Sequence, residues 1–272
     1  CIYFYSCILY SCIPFQFGVA CPFGAEKIAY SVRSCIEKHW ADENFGVLKV
    51  DMRNAFNLAS RQMILSECEK HFPELLPWVS WCYGKHPLLL HSMGSLTSES
   101  GVQQGDPLGP LLFSLVLNTL VLKIAKDNDC SSLLLQAWYL DDGVLAGPRS
   151  ALQRVLSLLQ QDGPALGLFI NLGKCEIFSP NNLEGFPEQM EKSHNPCLVV
   201  LGIPIGDAEF CASFISAKRA GSRALLDKLE EVGAIDPHVA LTLIRLCGGF
   251  CRLNHLARAT PPSLSVKALQ LF

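Results

Sequence analysis

Two adjacent carboxylates, Asp141 and Asp142, lie between short apolar runs and are well suited to chemistry. The flanking runs, residues 133–138 and 143–147, predict a β-hairpin with the two acids at its turn. Neighbouring carboxylates at a tight turn repel each other, and a divalent metal ion is the usual way to offset that repulsion. For the tetrapeptide Tyr139–Asp142 alone, a solvated Asp-Asp turn is the alternative interpretation.

A third carboxylate, Asp51, follows the strand-like run at residues 45–50. An Asp at the carboxyl end of a buried strand lies at a sheet edge, where ligands commonly bind. If this strand lies beside the hairpin, three carboxylates converge, and such hard oxygen ligands suit Mg²⁺. Two such ions about 3.5–4 Å apart can activate an attacking hydroxyl and stabilise a leaving pyrophosphate. Taken alone, Asp51 is also compatible with a helix N-cap.

Between these acidic sites, residues 101–110 form a stretch rich in Gly and Pro that precedes the long apolar run at residues 111–125. The pattern predicts a loop followed by a helix that is buried on nearly every face. Gly105 would let a ligand approach the backbone, and Gln104 offers both a donor and an acceptor. The loop is therefore a candidate nucleotide cradle, with an ordinary turn before a core helix as the alternative.

These stretches, in this order and spacing, resemble the palm of reverse transcriptases, most closely those of non-LTR retrotransposons. The resemblance extends from roughly residue 20 to the C-terminus. It rests on residues 51–56, 103–110, the Tyr139-Leu-Asp-Asp142 (YxDD) motif, residues 167–176 and, more weakly, residues 201–206. It implies an α+β right-hand polymerase fold, with an antiparallel palm sheet packed on helices, a partial fingers region and a helical thumb-like C-terminal part.

The resemblance also implies a metal site. Asp51 and Asp141 would be the main ligands of two Mg²⁺ ions, for which Mn²⁺ is a possible substitute. Asp142 would support them, and the backbone carbonyl of Met52 would complete one metal site. Lys174 would protonate the pyrophosphate leaving group or neutralise its charge, although a solvated loop lysine is the alternative for this residue.

The substrate contacts follow from the same resemblance. Phe56 would pack under the sugar and exclude a ribose 2′-hydroxyl, or serve as a core aromatic, or do both. Gln104 and Gly105 would contact the incoming nucleotide and the template. The implied activity is RNA-directed DNA polymerase, with an RNA template, a DNA primer and deoxynucleoside triphosphates as partners. The alternatives are an inactive reverse-transcriptase relic that only folds or binds nucleic acid, and an RNA-directed RNA polymerase, against which Phe56 argues.

The charge of the chain contrasts with this function. The net charge is −3, from 22 Lys and Arg against 25 Asp and Glu. Residues 207–272 hold 8 basic and 6 acidic residues, a net of +2, which leaves −5 for residues 1–206. Proteins that hold phosphate backbones are normally basic. No segment matches the basic fingers of the family, so we expect only a remnant of fingers within a palm at residues 18–206, followed by a truncated thumb-like region at residues 207–272.

The first 25 residues carry no charged side chain. An apolar run of about 20 residues can span a bilayer, but Pro14 interrupts this one and no basic residues flank its start. We therefore expect neither a stable membrane association nor a signal peptide, and expect residues 1–17 to lie outside the fold. Thirteen cysteines without zinc-ligand spacing indicate free thiols in a reducing, intracellular compartment, the nucleus or the cytoplasm.

The C-terminal part has helical periodicity. The pattern predicts one helix over residues 208–232 that stops at Gly233, and another that begins at Asp236-Pro237. Residues 181–196 are polar and rich in Pro, Asn and Glu, which predicts an exposed loop.

Overall fold

A computed structural model describes residues 12–181, 183–248 and 251–269. The α-helices are α1 (Gly24–His39), α2 (Ala55–Leu58), α3 (Arg61–His71), α4 (Leu76–Tyr83), α5 (Gly109–Lys126), α6 (Arg149–Asp162), α7 (Ala208–Ile235), α8 (Pro237–Leu243), α9 (Cys251–Ala259) and α10 (Pro262–Leu269). The strands are β1 (Phe45–Val50), β2 (Leu88–His91), β3 (Gly94–Thr97), β4 (Leu135–Tyr139), β5 (Asp142–Pro148), β6 (Glu176–Phe178), β7 (Glu191–Ser193), β8 (Leu198–Val200) and β9 (Ile203–Ile205). Short 3₁₀ turns lie at Pro73–Leu75, Asn128–Cys130, Pro164–Leu166 and Leu172–Lys174, and a π-helical turn lies at Ile244–Gly248.

The chain divides into two compact units, one of residues 12–24 and 37–194, the other of residues 25–36 and 195–269. The predicted division at residues 206 and 207 differs from this one, because the second unit also takes in most of α1 and the β8–β9 hairpin. Arg33 gives the physical reason: its buried guanidinium donates to the backbone carbonyls of Pro204 (3.0 Å) and Ala259 (3.4 Å).

The first unit contains a five-stranded sheet in the order β4-β5-β1-β6-β7. Strand β1 pairs antiparallel with both β5 and β6, and β4 pairs antiparallel with β5. The predicted hairpin is confirmed, since only Leu140 and Asp141 separate the paired residues Tyr139 and Asp142. The α+β prediction is also confirmed, with one difference in the sheet: β6 and β7 are parallel.

Strand β7 lies within residues 181–196, so the prediction of a wholly exposed loop there was wrong. Leu183, Phe186 and Met190 are buried and belong to the main hydrophobic core. These three apolar side chains anchor a segment whose overall composition is polar.

Helix α5 is the central core helix of the first unit, as its apolar sequence predicts. Eleven of its residues are buried, and Leu112, Phe113 and Val116 have no exposed side-chain surface. Each such side chain contributes about 1.5–3 kcal/mol on burial. By length and composition α5 could also cross a membrane, but its position in the core accounts for its apolar character.

Residues 12–17 pack within the first unit, in contrast to the prediction that residues 1–17 lie outside the fold. Ile13 is buried in the main core. The Phe17 N–H donates to the Trp138 carbonyl (2.7 Å), and the Trp138 N–H donates to the Phe15 carbonyl (2.9 Å). The segment therefore covers the free edge of β4, while residues 1–11 lie outside the described residues.

The second unit is mainly helical and has its own small core of Ile215, Leu253 and Leu256. Helix α7 continues through Gly233 to Ile235, because one interior Gly costs only about 1 kcal/mol. The predicted start at Asp236-Pro237 is confirmed: the Asp236 carboxylate accepts from the backbone N–H groups of His238 (3.0 Å) and Val239 (3.1 Å).

Candidate active site

The sheet brings the three predicted carboxylates to one edge of the first unit. Strand β1 runs antiparallel to β5 with Val50 opposite Gly143, so Asp51 emerges beside the β4–β5 turn. Asp141 lies in that turn and Asp142 is the first residue of β5. Both of them experience the negative charge of Asp51. The strand order that the sequence analysis required for a convergence of the three carboxylates is therefore present.

The electrostatics of this cluster are unfavourable for carboxylates. Partial burial and the charge of Asp51 raise the pKa of Asp141. Partial burial, Asp141 and Asp51 raise the pKa of Asp142, and only Lys49 opposes them. Lys49 is itself paired with Glu176 across the neighbouring strands. The surroundings thus disfavour the charged forms of both carboxyl groups, and a bound cation would offset this.

Hydrogen bonds hold the backbone of Asp51, whereas one oxygen of its side chain lacks a hydrogen-bond partner. Its N–H donates to the Cys175 sulfur (3.4 Å), and its carbonyl accepts from the Asn171 N–H (2.9 Å). Its Oδ2 atom is buried and has no hydrogen-bond partner. A buried carboxylate oxygen without a partner is costly and indicates a place for a cation.

These three carboxylates fit Mg²⁺ in ligand chemistry. Among the described residues, no group of three or more His, Cys, Asp or Glu side chains is arranged to hold a metal ion. Mg²⁺, however, usually takes one or two carboxylates from a protein and completes its shell with waters and substrate phosphates. The acids of this edge can therefore supply part of a metal shell but not all of it. Met52 is buried and pairs with Ile170 in an isolated bridge directly after Asp51.

The predicted nucleotide loop lies beside α2. The Phe56 carbonyl accepts from the Val102 N–H (2.8 Å), which ties α2 to the start of the loop. The half-buried Phe56 ring stacks on Phe113 of α5, with ring centroids 4.5 Å apart. Gln104 and Gly105 are exposed, and Gly105 has a φ of +92° with open space around it. Glycine is needed there for the backbone conformation, and the loop is open to a ligand.

A network that the sequence analysis missed fixes this loop. The Tyr83 hydroxyl donates to the Asp106 carboxylate and accepts from the Gln103 N–H (3.2 Å). Burial and the hydrogen bond with Asp106 raise the pKa of Tyr83 to about 12. Arg61, also buried, donates from Nε to the Gly101 carbonyl (3.1 Å) and lies over the Tyr83 ring. Asp106 lies inside the recognised loop motif, whereas Arg61 and Tyr83 have no local sequence signal.

Lys174 lies at the end of the 3₁₀ turn that follows Asn171, and its side chain is exposed. Its N–H donates to the Asn171 carbonyl (2.9 Å), and Asn171 bonds the Asp51 carbonyl. The structure thus connects the Lys174 backbone to Asp51 through one residue, without a contact from the Lys174 ammonium to the acids.

Comparison with known proteins agrees with this arrangement. A model of the family "Reverse transcriptase (RNA-dependent DNA polymerase)" matches residues 15–205, more than half of the chain. Telomerase from Candida albicans, in a complex with a TWJ fragment of telomeric RNA, is similar in fold: the TM-score is 0.54 and the identity 14%, over 75% of this chain and 37% of that chain. Apo telomerase from Candida tropicalis gives a TM-score of 0.54 and 13% identity, over 75% of this chain and 38% of that chain.

This chain therefore spans less than half the length of those telomerase chains. No curated protein matches its sequence significantly. At such low identity the structural likeness shows the fold alone, and it confirms the reverse-transcriptase palm that the sequence predicts. The family match covers the strand that leads to Asp51, the loop and the hairpin together, so the chain belongs to the reverse transcriptase (RNA-dependent DNA polymerase) family.

Proposed function

We propose that this chain catalyses RNA-directed DNA synthesis, adding deoxynucleotides to a DNA primer on an RNA template by nucleotidyl transfer. The observation that supports this most is the meeting of Asp51 with the Asp141-Asp142 turn, where a buried carboxylate oxygen lacks a partner. The family membership of the chain supports the same reaction class.

Divalent ions would be held by Asp51 and Asp141, with Asp142 in support and the Met52 carbonyl completing one site. Mg²⁺ is the proposed ion and Mn²⁺ a substitute. When bound, such ions would lower the pKa of the primer 3′-hydroxyl and balance the charge of the triphosphate. Partial burial and the neighbouring carboxylates raise the pKa of Asp141 and Asp142, and a cation that relieves this crowding is what the two side chains support.

The remaining roles fall to residues of the same unit. Gln104 and Gly105, exposed on a loop fixed by Tyr83, would contact the nucleotide and the template. Phe56 would lie under the deoxyribose, backed by Phe113, and exclude a 2′-hydroxyl. Lys174, exposed beyond Asn171, would donate a proton to the pyrophosphate or neutralise its charge.

The source of the chain is part of the proposal. Its motif set most resembles non-LTR retrotransposon enzymes, and the likeness to the telomerases carries information on the fold alone. Ten of the described cysteines form no disulfide bond, which agrees with an intracellular location, in the nucleus or the cytoplasm.

A second candidate is an inactive reverse-transcriptase relic that only folds or binds nucleic acid. It is favoured over synthesis by the net charge of −5 over residues 1–206, because this charge weakens the hold on phosphate backbones that synthesis requires. RNA synthesis is a third candidate, and the position of Phe56 beside the loop argues against it.

Primer extension on an RNA template tests these candidates. We expect Mg²⁺-dependent extension with deoxynucleotides, little with ribonucleotides, and loss of extension in Asp141→Asn. Asp129→Asn is a matched control, because Asp129 is an exposed acid whose nearest ion-pair partner is Arg154 (3.8 Å). Binding of the template–primer without extension would favour the second candidate, and preferential use of ribonucleotides the third.

A further inference from the structure

The turn that carries Asp141 has an unusual backbone. Leu140, the residue before it, has a φ of +57°, in the left-handed region that residues with a side chain rarely adopt. Such a conformation persists only where the surroundings impose it. A two-residue hairpin turn requires a positive φ at its first residue, which is costly for a Leu, so contacts that hold Leu140 in this conformation stabilise the turn.

Gln16 provides those contacts. Its side-chain Oε1 accepts from the Leu140 N–H (2.7 Å), and its Nε2 donates to the Leu140 carbonyl (3.2 Å). The same Oε1 also accepts from the Gly18 N–H (2.9 Å). One carboxamide thus satisfies both backbone groups of Leu140, across 124 positions of sequence.

The segment around Gln16 is itself firmly placed. Gln16 is only 5% exposed and forms a parallel bridge with Trp138 of β4. Backbone hydrogen bonds join Phe15 and Phe17 to Trp138 on either side of it. At Gly18, a Cβ atom would lie 2.8 Å from the Leu140 nitrogen, so the chain passes against the turn where only glycine fits.

We infer that Gln16 is a positioning residue that fixes the Leu140-Asp141 turn, and thereby the placement of Asp141, for metal binding. The inference rests on the proposed function, and it adds a residue outside the recognised motifs. Only a carboxamide places a donor and an acceptor side by side in this geometry. The substitution Gln16→Glu keeps the oxygen that accepts from the Leu140 N–H but places a second acceptor against the Leu140 carbonyl. The substitution Gln16→Met keeps a similar side-chain volume but forms no strong hydrogen bond.

Mn²⁺ affinity of the protein without nucleic acid tests the inference. We expect Gln16→Met to weaken Mn²⁺ binding about tenfold or more, as is typical when a residue that orients a metal ligand is lost. Gln136→Met is the matched control: Gln136 lies on β4 and also donates from Nε2 to a backbone carbonyl, that of Val121 (3.1 Å), away from the turn. Its affinity should equal that of the parent chain.

Primer extension provides a second readout. Gln16→Met should lower kcat while leaving the KM for the template–primer unchanged, because Gln16 is buried. If Gln16→Met does not fold, the Mn²⁺ affinity of Gln16→Glu tests the inference instead. We expect Gln16→Glu to lose less Mn²⁺ affinity than Asp141→Asn. Equal Mn²⁺ affinity in the parent chain and the folded Gln16 variant would overturn the positioning role alone. Absence of Mn²⁺ binding in the parent chain would overturn the proposed function, and the positioning role with it.

Discussion

Asp141 and Asp142 are residues whose chemistry conflicts with folding. Burial and neighbouring carboxylates raise the pKa of both, so the folded chain favours their protonated forms. Amide side chains of the same shape would suit the hairpin better. Packing gives no reason for two carboxylates here, whereas a bound divalent cation does.

Asp142→Asn should therefore stabilise the metal-free protein. Folding raises the pKa of Asp142, so the folded state is favoured when this carboxyl group is protonated, below its unfolded pKa of about 4. That stabilisation of the folded state is lost as the pH rises through the folded pKa. The advantage of Asn should thus grow between about pH 4 and pH 7. Since Asp142 is only partly buried, screening by solvent limits the gain to about 0.5 kcal/mol, or about 1–2 °C in Tm.

Thermal unfolding in EDTA at several pH values measures this effect, with Asp129→Asn as the control. Saturating Mn²⁺ should reverse the order and make the parent chain the more stable of the two. A lower Tm for Asp142→Asn in EDTA at pH 7 would contradict the electrostatic interpretation.

Tyr83→Phe tests the network behind the nucleotide loop. The change removes the hydroxyl that bonds Asp106 and the Gln103 N–H, and should cost about 1–3 kcal/mol of unfolding free energy. With a pKa of about 12, Tyr83 stays protonated, so the loss should be constant between about pH 6 and pH 9. The KM for deoxynucleotides should rise more than kcat falls.

The control for that change is Tyr30→Phe. Tyr30 is exposed, and its hydroxyl donates to the Arg258 carbonyl (3.0 Å), so the expected cost is below about 0.5 kcal/mol. Equal losses in the two variants, or an unchanged KM for deoxynucleotides in Tyr83→Phe, would show that the network does not hold the loop.

At the scale of elements, the site depends on how three segments meet. Antiparallel pairing of β1 with β5 sets Asp51 beside the hairpin. The 3₁₀ turn at Leu172–Lys174 returns the chain to Asp51 through Asn171 and Cys175. Residues 15–17 complete the arrangement along β4.

Gly18→Ala and Gly221→Ala should have opposite effects. At Gly18 the new methyl group would lie 2.8 Å from the Leu140 nitrogen, and the resulting overpacking should cost about 1–3 kcal/mol. Gly221 is exposed within α7 with open space around it, so Ala should stabilise the protein by about 0.5–1 kcal/mol. Chemical denaturation measures both changes, and a neutral Gly18→Ala would show that the chain does not pass tightly against the turn.

The elements that the sequence predicts well are those with local periodicity. Strand β1, the β4–β5 hairpin and buried α5 follow from apolar runs bounded by turn residues. Strand β7 was missed because three buried apolar side chains are too few to mark a polar segment as part of the fold. The prediction that residues 12–17 lie outside the fold was wrong, because an uncharged apolar run has the same composition whether it lies outside a hydrophobic core or within it.

The site was predictable where residues are close in sequence. The loop motif and the YxDD motif identify Gln104, Gly105, Asp141 and Asp142. The contacts of Arg61, Tyr83 and Gln16 join residues separated by 20 to 124 positions, through bonds to backbone atoms. Such bonds require no particular partner side chain, so no sequence pattern reports them.

For the whole molecule, the thiols give a test that is independent of activity. Ten of the described cysteines form no disulfide bond. Burial raises the pKa of Cys130 and Cys175 to about 11, whereas Cys247 is exposed. Iodoacetamide at about pH 8 should therefore label Cys247 at least about 100-fold faster than the other two thiols, since only thiolates react.

Peptide mass spectrometry after timed labelling reads out each site, and in denaturant the three rates should become equal. Comparable labelling of Cys175 and Cys247 in the native protein would show that the packing around Asp51 is not as described, because Cys175 contacts the Asp51 backbone.

The central claim is that Asp51 and the Asp141-Asp142 turn hold the metal ions of nucleotidyl transfer. Its most direct test is the anomalous scattering of Mn²⁺ in crystals of this chain with an RNA–DNA template–primer and a non-hydrolysable deoxynucleotide. We predict a peak about 2 Å from carboxylate oxygens of Asp51 and Asp141, and its loss in Asp141→Asn. Bound template–primer with Mn²⁺ absent from these oxygens, or present only elsewhere, would contradict the claim.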